Sequence, residues 1–238
     1  MRFGPPTPLL GMMTTGCGSS GGGSVSVLAT ATARWDASAL SGADNDLIAT
    51  FADVIGSNDA TAAGSARGTL KTANQNGLNI LRFDGVANTY DLTTPIEGAG
   101  PWTFAVVAKS AGPFPLMSPG GMYFGGFVRA SSSEIGDKGH WQVATSSLAV
   151  GSWEVMIFSH DGTAAGGSIW IDGVAITLGS PNGPVGGVTG GDFQVIGEYG
   201  NNYLGNGGDI GEIAYWPSVL SDDDKLAAST ELSTKWGI

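Results

Sequence analysis

The sequence predicts an all-β protein, an antiparallel sandwich or barrel, and three observations carry that prediction. After residue 33, short apolar or alternating runs recur at intervals of roughly ten residues, separated by Gly, Asn, Asp and Pro. Glycine supplies 40 of the 238 residues, about 17% against an ordinary level of about 7%. Hydrophobic residues make up 42% of the chain, enough to fill a core, so the glycines mark turns rather than disorder.

Charge narrows the function classes. Charged residues reach only 13%, and 10 basic against 21 acidic side chains leave a net charge of -11. A surface of that sign repels phosphate backbones, so nucleic acid is not an expected partner. No stretch approaches about 18 consecutive apolar residues, so membrane insertion is not expected either.

Residues 1–33 read as an extended Gly/Pro/Ser-rich N-terminal arm. Arg2 is their only charged residue, Pro5, Pro6 and Pro8 are followed by Gly16, Gly18, Gly21, Gly22 and Gly23, and no hydrophobic period runs through them. Leu9–Met13 is an apolar run of only about five residues where a secretory segment needs roughly 7 to 15. Cys17 is therefore not read as a lipid-modified residue, and as the single cysteine it forms no intrachain disulfide. Such an arm is expected to order only against a neighbouring molecule.

Residues 34–238 carry the folded domain. Leu78–Phe83 reads as a strand closed by the turn pair Asp84-Gly85. Trp102–Ala108 is almost continuously apolar, which suits a central strand covered on both faces. Met122–Phe124 and Phe127-Val128 follow, with Gly125-Gly126 between them hinting at a bulge, and Trp141–Ala144 alternates. Trp153–His160 alternates again, with Val155, Ile157 and Ser159 on one face and Met156, Phe158 and His160 on the other. Ile169–Ile176 predicts a hairpin, because Asp172-Gly173 supplies the positive φ angles of a two-residue turn. Phe193–Ile196 and Ile210–Trp216 complete the strands. The chain ends in a short helix: Ser221 caps it, Asp224 reciprocates, Asp222 and Asp223 favour its positive end, and Gly237 stops it. Leu226, Ala227, Leu232 and Trp236 are read as its apolar side. No period of about 20 to 50 residues repeats, which argues against a propeller or solenoid.

Five pieces in order then become recognisable: Trp35-Asp36-Ala37-Ser38, Leu81-Arg82-Phe83-Asp84-Gly85, Ile171-Asp172-Gly173, Gly208-Asp209-Ile210-Gly211-Glu212-Ile213 and Lys235-Trp236-Gly237. Together they resemble the concanavalin A-like, laminin G-like jelly-roll family, over roughly residues 34 to 238. The variety that opens on Trp-Asp-Ala-Ser and ends on Lys-Trp-Gly looks like a module of bacteriophage virion proteins and bacterial extracellular proteins. The resemblance implies two packed antiparallel sheets and a role in carbohydrate or protein binding. Independently of it, the large side chains of Trp35, Trp102, Trp153, Trp170 and Trp216 are read as core rather than as ligand platforms. Glu212, in a strand beside Ile210 and Ile213, is placed on the solvent face or on a nearby backbone amide.

Chemistry is sparse. Some relatives of this fold hydrolyse glycosides, which requires two carboxylates about 5 to 9.5 Å apart. No Glu-x-Asp-x-Glu pattern occurs, Glu154 has no acidic neighbour two residues away, and Asp209 and Glu212, three apart, point to opposite faces of a regular strand. His140 and His160 lie twenty apart without zinc-ligand spacing. Ser159-His160-Asp161 are adjacent in sequence and cannot converge as a triad. Calcium is the one cofactor the residues would accept: Asn201, Asn202, Asn206 and Asp209 form an oxygen-rich loop, with Asn206 and Asp209 as the ligands of choice, although turns alone account for those residue types. A glycan site would use Tyr199 and Tyr203 for stacking, with Asn201 and Asn202 for hydroxyls.

The resulting expectation is a non-enzymatic structural protein of a phage particle, a capsid decoration or tail component. It attaches through its arm to other virion proteins and to copies of itself, with trimers frequent by analogy, and stands on the virion surface after synthesis in the host cytoplasm. The alternative is a carbohydrate-binding module for host-surface glycans, and the third option is a glycoside hydrolase.

Overall fold

Strands form where the sequence alternates or runs apolar, and the left-handed positions at Asn76-Gly77 and Asp172-Gly173 turn the chain between paired strands. The computed structural model describes residues 25–98, 100–110, 151–163, 166–179, 192–199, 202–203 and 207–238, with the backbone of five short strands between 114 and 143. The first strands are β1 (Ala33–Asp36), β2 (Thr50–Phe51), β3 (Ala60–Thr61), β4 (Thr69–Gln75), β5 (Leu78–Phe83) and β6 (Tyr90–Ile96). Then come β7 (Trp102–Ser110), β8 (Phe114–Pro115), β9 (Met117–Ser118), β10 (Phe127–Arg129), β11 (Ser132–Asp137) and β12 (His140–Val143). The last are β13 (Trp153–His160), β14 (Gly167–Ile171), β15 (Val174–Ile176), β16 (Phe193–Ile196), β17 (Glu198–Tyr199), β18 (Asn202–Tyr203) and β19 (Gly208–Trp216), followed by helix α1 (Asp222–Trp236).

The architecture is an antiparallel β-sandwich, as predicted. An eight-stranded sheet runs β15-β14-β13-β7-β19-β5-β4, with β1 also pairing β19, and a five-stranded sheet runs β2-β3-β6-β16-β9. Aromatic side chains fill the space between them: Phe193 meets Trp102 and Phe104 edge-on at 5.3 and 5.1 Å, and Tyr90 meets Phe83 at 5.9 Å. A smaller sheet, β12-β11-β10-β8, and the β17-β18 hairpin complete the pairing.

The apolar run in β7 is a central strand buried on both faces. Trp102, Phe104, Val106 and Ala108 enter the core between the sheets, and Ala105 and Val107 enter a second core under α1. The alternation read in β13 holds, with Met156 and Phe158 inward and Val155 and Ile157 outward. At the β14–β15 turn Asp172 and Gly173 take φ values of 49° and 79°, the positive pair that a type I′ hairpin requires. Trp35, Trp102 and Trp216 are buried, and Trp153 and Trp170 pack against the second core. Gly125-Gly126 lies outside the described residues.

Helix α1 begins and ends where its caps predict. The Ser221 hydroxyl accepts from the Asp224 N–H at 3.1 Å and donates to the Asp224 carboxylate at 2.6 Å, and Gly237 closes the helix at φ 67°. Its buried face differs from the one expected. Lys225, Ala228, Ser229, Leu232 and Trp236 are buried, whereas Leu226 is 48% exposed. At about 100° per residue, Leu226 lies about 120° around the helix from Leu232, so it cannot share that face. Before the first strand, Leu28 and Ala31 also pack into the second core, and Ser26 Oγ and Val27 N–H donate to the Glu231 carboxylate at 2.5 and 2.9 Å. Residues 26–33 of the segment read as an arm therefore lie on the sandwich itself.

Candidate functional site

The glycan candidates fall on the β17-β18 hairpin, where Tyr199 pairs with Asn202 and Glu198 with Tyr203. Antiparallel pairing sets the backbones of Tyr199, Asn202 and Tyr203 beside one another. Asn201 and the calcium candidate Asn206 lie outside the described residues. The other calcium candidate, Asp209, is 4% exposed. Its two carboxylate oxygens accept from Arg82 Nε and a terminal guanidinium nitrogen at 2.6 and 2.9 Å, the paired geometry that suits arginine. The hydrogen bond to Asp209 raises the pKa of the Arg82 guanidinium above its ordinary value. Among the described residues no group of three or more His, Cys, Asp or Glu side chains converges as a metal site.

Glu212 departs most from its sequence reading. It is neither on the solvent face nor on a backbone amide. It is fully buried, and its Oε1 accepts from Arg34 Nε at 2.5 Å while Oε2 accepts from Lys235 Nζ at 2.7 Å and Trp236 Nε1 at 3.0 Å. Lys235 also donates to Asp36 Oδ2 at 2.5 Å, so two carboxylates and two cations form one neutral clasp between β1, β19 and the end of α1. The cause is a bulge. Ile210 stands opposite Ala108 and Glu212 opposite Val107, so Gly211 is an extra residue. Asp209, opposite Lys109, therefore shares a face with Glu212, contrary to the regular-strand expectation. A Cβ at Gly211 would lie 3.1 Å from the Trp236 ring, so glycine here lets α1 close over the bulge.

Sharing a face does not make these carboxylates a hydrolytic pair. Every oxygen of Asp209 and Glu212 is held by a cation or an indole N–H, and Asp36 is tied to Lys235 and to Ser38 at 2.6 Å. The remaining candidates are likewise engaged. His160 Nδ1 accepts from the Gly162 N–H at 3.0 Å and its ring stacks on Trp102 at 5.8 Å, while Ser159 Oγ bonds Ser168 Oγ at 2.7 Å. Asp161 turns to Thr163: burial pushes its carboxyl up, but the Thr163 hydrogen bonds outweigh this and hold it below the usual range. His140 lies on β12, in a different sheet from His160 on β13.

One polar centre was not singled out from the sequence. Asp53 Oδ1 accepts backbone N–H groups from Arg34, Ile55 and Gly56 at 2.9, 3.1 and 3.0 Å, and Oδ2 accepts from Asn58 at 3.1 Å. Burial pushes the Asp53 carboxyl up, and these four donors more than offset it, holding it below the ordinary carboxylate value. The available signal was Asp-x-x-Gly-x-Asn between strands, an Asx-turn spacing.

No protein-family model matches the chain, and no curated protein matches it in sequence. Solved structures do resemble it. A Trypanosoma rangeli sialidase in complex with sialic acid superposes at TM-score 0.53 and 16% identity, over 85% of this chain and 33% of that one. A GH54 arabinofuranosidase soaked with a cyclic sulfate inhibitor gives TM-score 0.53 and 11% identity, over 80% of this chain and 51% of that one. A mutant of HCR/D gives TM-score 0.55 and 9% identity, over 87% and 52%. The chain thus spans about a third of the sialidase and about half of the other two. These likenesses show the fold, a β-sandwich of the jelly-roll type. They also correct the functional expectation of a structural component of a phage particle: the neighbours named by activity are a sialidase and an arabinofuranosidase, and none is a virion protein.

Proposed function

We propose that this chain is a glycan-recognition sandwich, of the concanavalin A-like or laminin G-like kind, serving glycan processing without itself cleaving the glycan. The observation that carries the reading is the partial span: a sandwich of this size corresponds to about a third of a sialidase and half of an arabinofuranosidase, so what is shared is one part of each enzyme. The engagement of Asp36, Asp53, Asp209 and Glu212 by cations and backbone donors supports the non-catalytic half of the reading, because a glycosidase needs one carboxyl free to donate a proton and one free to attack or to activate water. The β17-β18 hairpin, with Tyr199, Asn201, Asn202 and Tyr203, is the proposed stacking site.

A glycan array probed with the purified chain tests the recognition claim, with Tyr199→Ala and Tyr203→Ala as controls and with calcium or EDTA in parallel. Binding lost in the tyrosine variants is the expected result, and silence across the array removes the proposal. Fluorogenic sialosides and arabinofuranosides test the other half. Turnover above that of the buffer would make the chain a hydrolase.

A further inference from the structure

A cavity of about 310 Å³ opens beside the Asp53 turn, lined among others by Thr32, Asp53, Ser57, Asn58, Thr94 and Tyr215. That volume is at the small end of ligand sites, which run from about 300 to 1,000 Å³. Hydroxyl, amide and carboxylate groups share the lining with the apolar surfaces of Ala33, Ile96 and the Tyr215 ring, a mixture that the hydroxyls and C–H faces of a sugar ring can both meet. Resting on the reading of the chain as a glycan-recognition module, we propose that this cavity is a subsite for one neutral sugar residue, separate from the β17-β18 hairpin.

Three observations support it. First, the walls are pre-ordered. Besides the bonds to Asp53, the Asn58 carbonyl accepts from Trp35 Nε1 at 2.8 Å, Asn58 Oδ1 accepts from the Thr94 N–H at 2.8 Å, and the Val54 N–H donates to the Arg34 carbonyl at 2.8 Å. With Oδ1 fixed, the Asn58 amide N–H₂ has one orientation, and no ordering entropy is lost when a ligand hydroxyl accepts from it. Second, donors and acceptors remain. Asp53 Oδ2 takes only one of these backbone donors, and no hydrogen bond among the described residues uses the Tyr215 hydroxyl, although Tyr215 is 6% exposed. Burial first, and then the Glu97 carboxylate, push the Tyr215 phenol up to about 12, so it is a donor at neutral pH. Tyr215 lines the cavity, so a ligand oxygen can replace the water that its hydroxyl otherwise meets there. Third, the charge selects the ligand. The Asp53 carboxylate in the wall and Glu97 near Tyr215 oppose an anion, so the subsite takes an uncharged pyranose or furanose and rejects a carboxylated sugar such as sialic acid.

Gly56 keeps the space open. A Cβ there would lie 2.6 Å from Asp53 Oδ2 and 3.2 Å from the Thr32 carbonyl, so any larger residue pushes the turn or the cavity wall.

The test is an amide NMR titration of the full chain with methyl glycosides of glucose, galactose, mannose and arabinose, and separately with sialic acid. At least one neutral glycoside is expected to shift the Gly56, Ser57, Asn58 and Thr94 amides, and sialic acid to leave them unmoved. Ser57→Trp, in an exposed loop position that fills the cavity mouth, should abolish those shifts with an unchanged melting temperature. Tyr215→Phe should weaken them about tenfold, the equivalent of one lost hydrogen bond. If the array is positive while these amides stay silent, or if Ser57→Trp binds as well as the native chain, this subsite is overturned and the hairpin site stands. If sialic acid produces the shifts, the neutral-sugar assignment falls. A blank array together with silent amides removes both the subsite and the glycan reading on which it rests.

Discussion

The eight-stranded sheet is covered in two different ways, and the contrast explains where the molecule tolerates change. On its inner face Trp35, Phe83, Trp102, Phe104, Phe193 and Tyr90 interlock without a charge among them. On its outer face Ala228, Leu232 and Trp236 of α1 cover Ala105, Val107, Val155 and Ile157, but the edges of that interface carry Glu212, Asp36, Arg34, Lys235 and a buried Lys225. Lys225 reaches Ser168 Oγ and Asp222 at 3.3 and 3.2 Å and sits over the Trp170 ring at 5.8 Å. Apolar packing is non-directional and depends on volume, whereas a buried charge must keep each of its partners. The inner face is therefore sensitive to size and the outer face to the identity of its pairs.

The sharpest break of that comparison is Trp35→Ala on the inner face, expected to cost about 3–5 kcal/mol as a large-to-small core change and measured by denaturant unfolding. On the outer face Glu212→Ala should cost about 3 kcal/mol, near the low end for a broken buried pair, because the Arg34 and Lys235 side chains are 21% and 25% exposed and regain some hydration. The double replacement Glu212→Leu with Lys235→Met should cost less than the sum of its two single changes. An additive double mutant would mean the clasp is no more than ordinary packing. Gly211→Ala, with its Cβ forced against the Trp236 ring, should cost about 1–3 kcal/mol by overpacking. Removing the helix cap with Ser221→Ala should cost about 1 kcal/mol.

The smallest effect is a pH slope at the Asp53 turn, which is tied to β1 through the Arg34 N–H. Its carboxyl titrates lower in the folded chain than in the unfolded one, so its contribution is present above the ordinary carboxylate value of about 3.9 and disappears as the pH falls through the lower folded value. Asp53→Asn should flatten that part of an acid-unfolding curve and leave neutral-pH slopes unchanged. Equal slopes in both proteins below about pH 4 would remove Asp53 from the account.

How much of this was legible in the sequence follows from the range of the forces involved. The strand read at Trp102–Ala108, the faces of Trp153–His160, the Asp172-Gly173 hairpin and the caps at Ser221 and Gly237 were all readable, because each is decided by neighbours within a few residues. The glycan and calcium candidates, by contrast, were chosen by residue type in a loop, and type alone does not fix what a side chain touches. Asp209 has that oxygen chemistry and is nevertheless paired with Arg82, 127 residues away. The cavity is less legible still, since Thr32, Asp53, Thr94 and Tyr215 come from four separate parts of the chain.

By itself, then, the sequence determined the all-β class, the turns and the helix termini, since backbone propensity, side-chain alternation and capping act locally. Only the tertiary structure decided which face each polar residue serves. One inserted residue at Gly211 moves Glu212 onto the face of Asp209, and α1 turns Lys225 inward and Leu226 outward. Those choices rest on pairings such as Arg34 with Glu212, 178 residues apart, which exist only once the sheets have closed and water has been excluded from between them.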